Sequence, residues 1–198
     1  MAYLGEEVKK LGFGLMRLPK LQDETIDLEQ VKQMVDLFLS KGFTYFDTAW
    51  AYPGSEDAIR QALVERYPRE KFQLATKNAA WINCKTREDA IGQFETSLKQ
   101  TGAGYFDFYL LHNVCELNID QYLDERYGTC DYLMKQVENG RIRHLGFSTH
   151  ASYDVMERFL KKYGAAMEFC QIQLNYADWE FQDARAKVRL LSRYGLPV

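Results

Sequence analysis

The chain has 198 residues, of which 46% are hydrophobic and 27% charged, with a formal net charge of -3 and a sequence pI near 5.7. This composition excludes an intrinsically disordered protein and is typical of one compact domain. The slight acidity argues against a duplex-binding surface, because counterion release needs clustered positive charge. No apolar run approaches the roughly 20 residues that span a bilayer.

The N-terminal segment and the cysteines indicate a cytoplasmic protein. The first ten residues, MAYLGEEVKK, carry charges where a signal peptide would be apolar. The cysteines are scattered without a CxxC pair, at Cys84, Cys115, Cys130 and Cys170. We therefore expect reduced, mostly structural thiols and no metal in this chain. Neither nucleic acid nor a membrane is an expected partner.

Six short apolar runs, spaced by about thirty residues, predict six strands. They are Leu11 to Leu15, Phe43 to Phe46, Phe72 to Ala75, Phe106 to Leu111, Ile142 to Phe147 and Phe169 to Leu174. Runs this apolar are typical of strands that are buried on both faces. A seventh strand is predicted to begin at Leu196-Pro197-Val198.

Segments with helical periodicity lie between these runs. The first has Asp27 and Gln30 at capping-box spacing and Gly42 as its stop. The others are Glu56 to Arg66, Thr86 through Leu98, Tyr122 to Asn139, Ser152 to Tyr163 and Asp183 to Tyr194. Regular alternation of strand and helix predicts the α/β class, with parallel strands joined by right-handed crossovers.

The polar residues separate the two architectures that use this alternation. A doubly wound nucleotide-binding sheet needs a Gly-rich turn after its first strand, but Gly12 and Gly14 lie before or inside that strand and no GxGxxG follows. The predicted strands instead end in polar side chains, namely Asp47, Lys77, His112, Ser148 and Asn175. A (β/α)8 TIM barrel gathers such ends around one mouth. We therefore predict a barrel of which residues 1–198 supply about six β/α units as a single, incomplete domain.

Three strand-end side chains and one loop tyrosine form the candidate catalytic set. Asp47, Lys77 and His112 end consecutive predicted strands, and Tyr52 follows five residues after Asp47. A tyrosine hydroxyl has a reference pKa of about 10, and a neighbouring ammonium eases its loss of a proton. Lys77 would supply that charge, Asp47 would keep the lysine charged, and His112 would orient a substrate oxygen. This chemistry suits reduction of a carbonyl group with Tyr52 as the proton donor.

A structural role is the alternative for each residue taken singly, and only common placement at one mouth favours catalysis. Trp50 and Trp81 follow the second and third strands, where they would line an apolar substrate pocket. Ordinary packing of loop aromatics explains these two tryptophans equally well.

Six segments in order resemble the aldo-keto reductase family: GFGLMRLP, FDTAWAYPGSE, LATK, DFYLLH, IRHLGFS and CQIQLNY. The resemblance covers nearly the whole chain. It implies that Asp47, Tyr52, Lys77 and His112 are the catalytic tetrad, with Tyr52 as general acid. It also implies NADP(H) as cofactor, with NAD(H) as the alternative, and a small aldehyde or ketone as substrate.

The same resemblance implies which residues hold the cofactor. Ser148 and Gln171 would contact the nicotinamide carboxamide, and Asp47 would lie beside them. The cofactor would lie extended across the mouth without a Gly-rich phosphate loop. The sequence departs from the family at Thr149, where many members have asparagine.

The six predicted strands fall short of the eight that close a barrel of about 250 residues. By resemblance, the last two strands, the loop that grips the adenosine phosphate and the C-terminal substrate loop are missing. Relatives that are most similar in GFGLMRLP and CQIQLNY often continue into an iron-sulfur segment, and this chain has no CxxCxxC run. A shortened piece, a proteolytic fragment, a swapped oligomer and a chain given without its remainder all stay open.

Two functions from different classes are compatible with these residues. The first is an NAD(P)H-dependent carbonyl reductase. The second is a non-catalytic or regulatory module on the same scaffold, or an inactive fragment of such an enzyme. Because six strands leave two bare sheet edges, we also expect self-association or a further segment to cover them. The isolated chain is expected to bind cofactor weakly, since the phosphate-gripping contacts would be absent.

Overall fold

The computed structural model describes residues 8–198. The first seven residues, which carry part of the charge that argues against a signal peptide, lie outside this range. Within it, no helix has the length and apolar character needed to cross a membrane. The four cysteine thiols are unpaired, and those of Cys130 and Cys170 are buried.

Six parallel strands form one sheet in which neighbours along the chain are neighbours in space. They are β1 (Gly12–Gly14), β2 (Tyr45–Asp47), β3 (Gln73–Asn78), β4 (Phe106–Val114), β5 (Ile142–Thr149) and β6 (Phe169–Ile172). A doubly wound sheet reverses its strand order at a switch point, whereas a barrel does not. The unbroken order therefore confirms the barrel type of sheet, and the six strands form a curled half-barrel.

The helices pack outside this sheet. They are α1 (Leu28–Ser40), α2 (Ser55–Ile59), α3 (Arg87–Thr101), α4 (Ile119–Leu123), α5 (Thr129–Glu138), α6 (Tyr153–Tyr163), α7 (Asp178–Phe181) and α8 (Ala184–Arg193). The carboxylate of Asp27 accepts a hydrogen bond from the Gln30 amide at 3.0 Å and so begins α1 as predicted. Thr86 and Asp89 form a complete capping box at the start of α3.

Several details of the predicted elements differ in the structure. The helix predicted over Glu56 to Arg66 is α-helical only over Ser55–Ile59 and continues as a π-helix over Arg60–Val64. The single helix expected over Tyr122 to Asn139 is two helices, because the chain between α4 and α5 turns and Gly128 takes a left-handed conformation. The last strand ends at Ile172 instead of Leu174. Asn175 consequently does not end a strand, since its side-chain oxygen accepts the amides of Ala177 and Asp178 and so makes a turn. The short helix α7 was not predicted.

Alternation along each strand divides the side chains between two cores. The outer face of the sheet packs under the helices, with Phe46, Leu74 and Phe147 fully buried there. The inner face carries a smaller cluster in which Phe108 contacts Tyr45 and Phe169, with ring centroids 5.3 and 5.5 Å apart. These three rings come from β2, β4 and β6, which is the alternate-strand layering of a barrel interior.

The curl of the sheet also brings distant strands together near their carboxyl ends. The side-chain amide of Gln171 on β6 lies 3.5 Å from a carboxylate oxygen of Asp47 on β2. At the outer edge, the amide of Cys170 donates to the carbonyl of Pro197 at 3.0 Å. The last residues therefore lie beside β6, where the sequence predicts the start of a seventh strand, although the structure assigns no strand to them.

A buried carboxylate ties the amino-terminal ends of three strands together. Asp107 is 2% exposed and accepts hydrogen bonds from Arg69 at 2.6 Å, Arg143 at 2.8 Å and the amide of Leu74 at 2.9 Å. The two guanidinium groups lie over the ring of Tyr105, at 3.9 and 4.2 Å from its centroid. This cluster joins the strands at the end of the barrel opposite the mouth.

We predict that Asp107→Ala lowers the free energy of unfolding by about 3 kcal/mol, because it leaves a largely buried guanidinium without its partner. Urea denaturation followed by circular dichroism measures this loss. The matched control is Asp120→Ala, which removes an exposed partner of Arg158 and should cost less than about 1 kcal/mol. Equal losses in the two variants would contradict a stabilising role for the Asp107 cluster.

Candidate active site

Inward-facing residues at the carboxyl ends of five neighbouring strands form the candidate site. They are Asp47 on β2, Lys77 on β3, His112 on β4, Ser148 on β5 and Gln171 on β6. Ser148 and Gln171 are register partners in adjacent strands. Parallel strands point their carboxyl ends to one side, so alternation alone is enough to gather these side chains.

The centre of the site is a buried ion pair. The Lys77 side chain is 2% exposed, and its ammonium lies 2.5 Å from a carboxylate oxygen of Asp47. The same ammonium donates to the backbone carbonyl of Thr48 at 2.8 Å. Both acceptors come from the end of β2, which lies next to β3 in the sheet. The expected pairing of Lys77 with Asp47 is thus present in the structure.

Two opposing effects act on the charge of Lys77. Burial lowers the pKa of its ammonium, because the charged form loses water. The charge of Asp47 and its hydrogen bond raise that pKa again, and Glu56 adds a weaker contribution in the same direction. The net direction is downward, so the ammonium depends on its carboxylate neighbours to stay charged.

Tyr52 is held over this pair by a short loop. The hydroxyls of Thr48 and Ser55 lie 2.6 Å apart and close the loop, and Ser55 also reaches the carbonyl of Leu15 at 3.1 Å. Gly54 takes a left-handed conformation with φ of 71° just before α2 begins. The Tyr52 ring consequently lies with its centroid 5.1 Å from the Lys77 ammonium.

The pKa of the Tyr52 phenol in the structure differs from the sequence-based expectation. Lys77 was expected to ease its loss of a proton. In the structure, burial and then the charge of Asp47 raise the pKa of Tyr52 to about 12. The phenol is therefore protonated throughout the neutral range.

His112 also packs against the ring of Tyr52. The two ring centroids are 5.6 Å apart and the rings are nearly perpendicular, at 83°. The backbone carbonyl of His112 accepts the indole of Trp81 at 3.0 Å and the hydroxyl of Tyr122 at 2.7 Å. Burial, and then the positive charge of Lys77, lower the pKa of His112 to about 3. The imidazole is therefore neutral, and its Nδ1 has no partner within the described residues.

Two further polar groups occupy the next strand ends. The Ser148 hydroxyl accepts the backbone amide of Asn113 at 2.9 Å, which leaves its own proton available as a donor. Gln171 is exposed on the open side of the half-barrel, beside Asp47. Thr149 points the other way, since its hydroxyl donates to the Val114 carbonyl at 2.6 Å.

The two tryptophans are placed differently from each other. Trp81 is tied to the end of β4 by its indole hydrogen bond to His112. Trp50 lines a cavity of about 260 Å³ together with Tyr52 and with Thr96 and Gln100 of α3. A further cavity of about 810 Å³ is the half-barrel lumen, which Asp47 and Gln171 of the candidate site line.

One residue next to the site was missed by the sequence analysis. Glu56 lies four residues after Tyr52 and is 2% exposed, with one carboxylate oxygen on the Thr76 hydroxyl at 2.6 Å. The sequence signal was an acidic residue at the start of the helix that follows the tyrosine loop. Acidic residues are common in the first turn of any helix, so this signal did not single Glu56 out. Within residues 8–198, no cluster of His, Cys, Asp and Glu has the grouping needed to hold a metal ion.

An in-order parallel sheet with a polar cluster at its strand ends defines a protein of the (β/α)8-barrel class. The model of the Aldo/keto reductase family matches residues 10–198. The chain belongs to this family.

Curated relatives and solved structures agree with this assignment. Probable aldo-keto reductase 1 of Glycine max is 32% identical over 162 residues, which are 78% of this chain and 45% of that protein. An aldo-keto reductase of Mycolicibacterium smegmatis is 24% identical over 196 residues, which are 98% of this chain and 66% of that protein. The crystal structure of an aldo-keto reductase from Klebsiella pneumoniae in complex with NADPH has a TM-score of 0.73 at 22% identity and covers 96% of this chain and 62% of that one. The chain thus spans about half to two thirds of the length of these proteins.

We predict that His112 stays neutral between about pH 5 and 8, the range in which an unperturbed imidazole titrates. Two-dimensional NMR of the imidazole groups measures this, with His112→Gln to assign the signal among the three histidines. The unfolded imidazole takes up its proton near pH 6.5, whereas the folded one does so near 3, so this group destabilises the fold as the pH falls through that window. A midpoint near 6.5 in the folded protein would contradict the described environment.

Proposed function

We propose that this chain carries the catalytic half of an NAD(P)H-dependent oxidoreductase that reduces the carbonyl of a small aldehyde or ketone to an alcohol. The observation that carries the proposal is the position of Tyr52 between a buried ammonium and a neutral imidazole. Membership of the aldo/keto reductase family supports the reaction class.

In this proposal Tyr52 is the proton donor. The alkoxide that forms from a carbonyl is a stronger base than a phenolate, so a phenol with a raised pKa still gives up its proton to it. The phenolate that remains faces the ammonium of Lys77, whose positive charge stabilises it. Asp47 contributes indirectly, since it keeps that ammonium charged.

His112 orients the substrate in this proposal. A neutral imidazole has one donor and one acceptor nitrogen; the Nδ1 of His112 is buried, so Nε2 is the nitrogen that would contact a substrate. The carbonyl of His112 is fixed by Trp81 and Tyr122, which holds the residue in place at the end of β4. A hydrogen bond from this ring would hold the substrate oxygen within reach of the Tyr52 hydroxyl.

The residues at the open side of the mouth fit a nicotinamide carboxamide. Such a group needs donors and acceptors side by side, and the Ser148 hydroxyl has a free proton while Gln171 offers an amide at the neighbouring register position. Asp47 lies against Gln171 at the same place. When bound, the reduced nicotinamide supplies the hydride. We propose NADP(H), with NAD(H) as the alternative, and the NADPH complex of the Klebsiella pneumoniae enzyme supports this choice.

The proposed substrate pocket includes Trp50 and Trp81. Trp81 lies beside His112, and Trp50 lines the same cavity as Tyr52, so each tryptophan neighbours one of the proposed reacting groups. We further propose that residues 1–198 form one unit of a larger barrel, and that self-association or a further segment covers the open sheet edges. Cytoplasmic location also stays a prediction.

We predict that Tyr52→Phe lowers kcat for aldehyde reduction by roughly 100-fold to 10,000-fold, because the proton donor is lost. The dissociation constant for NADPH should change little, since the hydroxyl does not bind the cofactor. Turnover is followed by nicotinamide absorbance at millimolar cofactor, and binding is followed by nicotinamide fluorescence.

Tyr194→Phe is the matched control, because Tyr194 is exposed and directly follows α8, which places it at the end of the barrel opposite the mouth. It should leave both kcat and binding unchanged. Unchanged turnover in Tyr52→Phe would contradict the role of Tyr52. Cofactor binding by the wild-type chain without turnover of a broad panel of aldehydes would favour the non-catalytic module.

A further inference from the structure

Residues 79–85 lie between β3 and α3 and carry Trp81, and we refer to them as the Trp81 loop. Their sequence, AAWINCK, contains neither the proline nor the glycine that usually sets the course of a tight loop. Trp81 is partly buried, and its indole donates to the carbonyl of His112 at 3.0 Å. Groups outside the loop must therefore hold it if Trp81 is to keep one place beside His112.

Gln93 on α3 binds the loop on both sides of Trp81. It is buried, at 4% exposed, and its side-chain oxygen accepts the amide of Ala79 at 2.9 Å. Its side-chain nitrogen donates to the carbonyl of Ala79 at 3.1 Å and lies 3.4 Å from the carbonyl of Ile82. Buried backbone groups need partners, and one glutamine side chain supplies both a donor and an acceptor to Ala79.

A second glutamine binds the loop from α4. The side-chain nitrogen of Gln121 donates to the carbonyl of Ala80 at 2.8 Å and lies 3.5 Å from the carbonyl of Cys84. The amide of Ala80 donates to the side chain of Asn78, at the end of β3, at 2.9 Å. The backbone of the two residues before Trp81 is therefore held by side chains from α3, α4 and β3.

The same helix also holds His112. Tyr122 directly follows Gln121, is 3% exposed and donates its hydroxyl to the carbonyl of His112 at 2.7 Å. The carbonyl of Asn78 lies 3.2 Å from that hydroxyl. Because neighbouring residues of α4 contact both the Trp81 loop and His112, this helix sets how the two lie relative to each other.

We propose that Gln93 and Gln121 are positioning residues that hold the Trp81 indole as one fixed wall of the substrate site. The wall lies beside His112 and favours aldehydes with a ring or chain large enough to pack against it. An aromatic side chain that is already held in place offers its packing area at little entropic cost. The proposal rests on the proposed function, but its first test reads the indole of Trp81 and does not depend on turnover.

The first experiment measures hydrogen exchange at the indole N–H of Trp81 in the whole chain by two-dimensional NMR, with Trp81→Phe to assign the signal among the three tryptophans. Gln93→Met and Gln121→Met keep the approximate length of the side chain and remove its hydrogen bonds to the loop. Each should speed this exchange by about 10-fold, because the lost hydrogen bonds make opening of the loop easier.

Gln136→Met is the matched control. Gln136 is also buried, at 3% exposed, but its side chain contacts Tyr132 and Arg141 and not the Trp81 loop. This variant should leave the exchange at Trp81 unchanged. If Gln93→Met does not fold, Gln121→Met decides the outcome, since the side chain of Gln121 is only partly buried.

The second experiment compares two aldehydes of different size. In both loop variants the KM for benzaldehyde should rise by about 10-fold, while the KM for acetaldehyde, which is too small to reach the wall, and both kcat values should change little. An equal rise for the two aldehydes, or unchanged indole exchange in the folded variants, would overturn the proposal. Faster exchange in a chain that reduces neither aldehyde would support the placement of Trp81 by the two glutamines and refute only the proposed function.

Discussion

The ion pair between Lys77 and Asp47 is the interaction on which the mouth of this half-barrel depends. Removing a buried pair's partner costs about 3 to 5 kcal/mol, whereas a well-packed apolar replacement of both is often neutral. Stability therefore does not explain the pair. What it provides is a positive charge in a nearly dry site. That charge adds to the larger effect of burial in keeping His112 neutral, and it lies against the ring of Tyr52. In the resting site, burial and then the charge of Asp47 raise the pKa of the Tyr52 phenol.

Strand order and side-chain alternation are enough to place these groups. Strands that pair in chain order put their carboxyl ends on one side, and alternation sends every second side chain inward. The inner layer of Tyr45, Phe108 and Phe169 fills the space below the site, while Asp107 fixes the opposite ends of the strands. Lys77 can therefore be withdrawn from water on one face of β3 while Thr76 reaches a second carboxylate on the other.

The sequence predicted the six strands, their order along the chain and the strand-end residues Asp47, Lys77, His112 and Ser148, because apolar runs and the polar residues that end them are local signals. It failed where the outcome depends on packing. The helix over Tyr122 to Asn139 breaks at a left-handed Gly128, which periodicity cannot reveal. The direction of the Tyr52 pKa shift depends on burial and on Asp47, which only the folded arrangement brings together. Glu56 was overlooked for the same reason, since the residues next to it in sequence do not indicate that its side chain is buried. The roles of Asp47, Tyr52, Lys77 and His112 in catalysis stay predictions.

The most direct test of this account is the ionisation of Tyr52 itself. NMR of the chain labelled at tyrosine Cζ, with Tyr52→Phe to assign the signal, gives the titration midpoint of the phenol. The account predicts a protonated phenol beyond the ordinary tyrosine value of about 10, with a midpoint near 12. A midpoint below 10 would contradict it, because the ammonium of Lys77 would then outweigh both burial and Asp47 in the resting site.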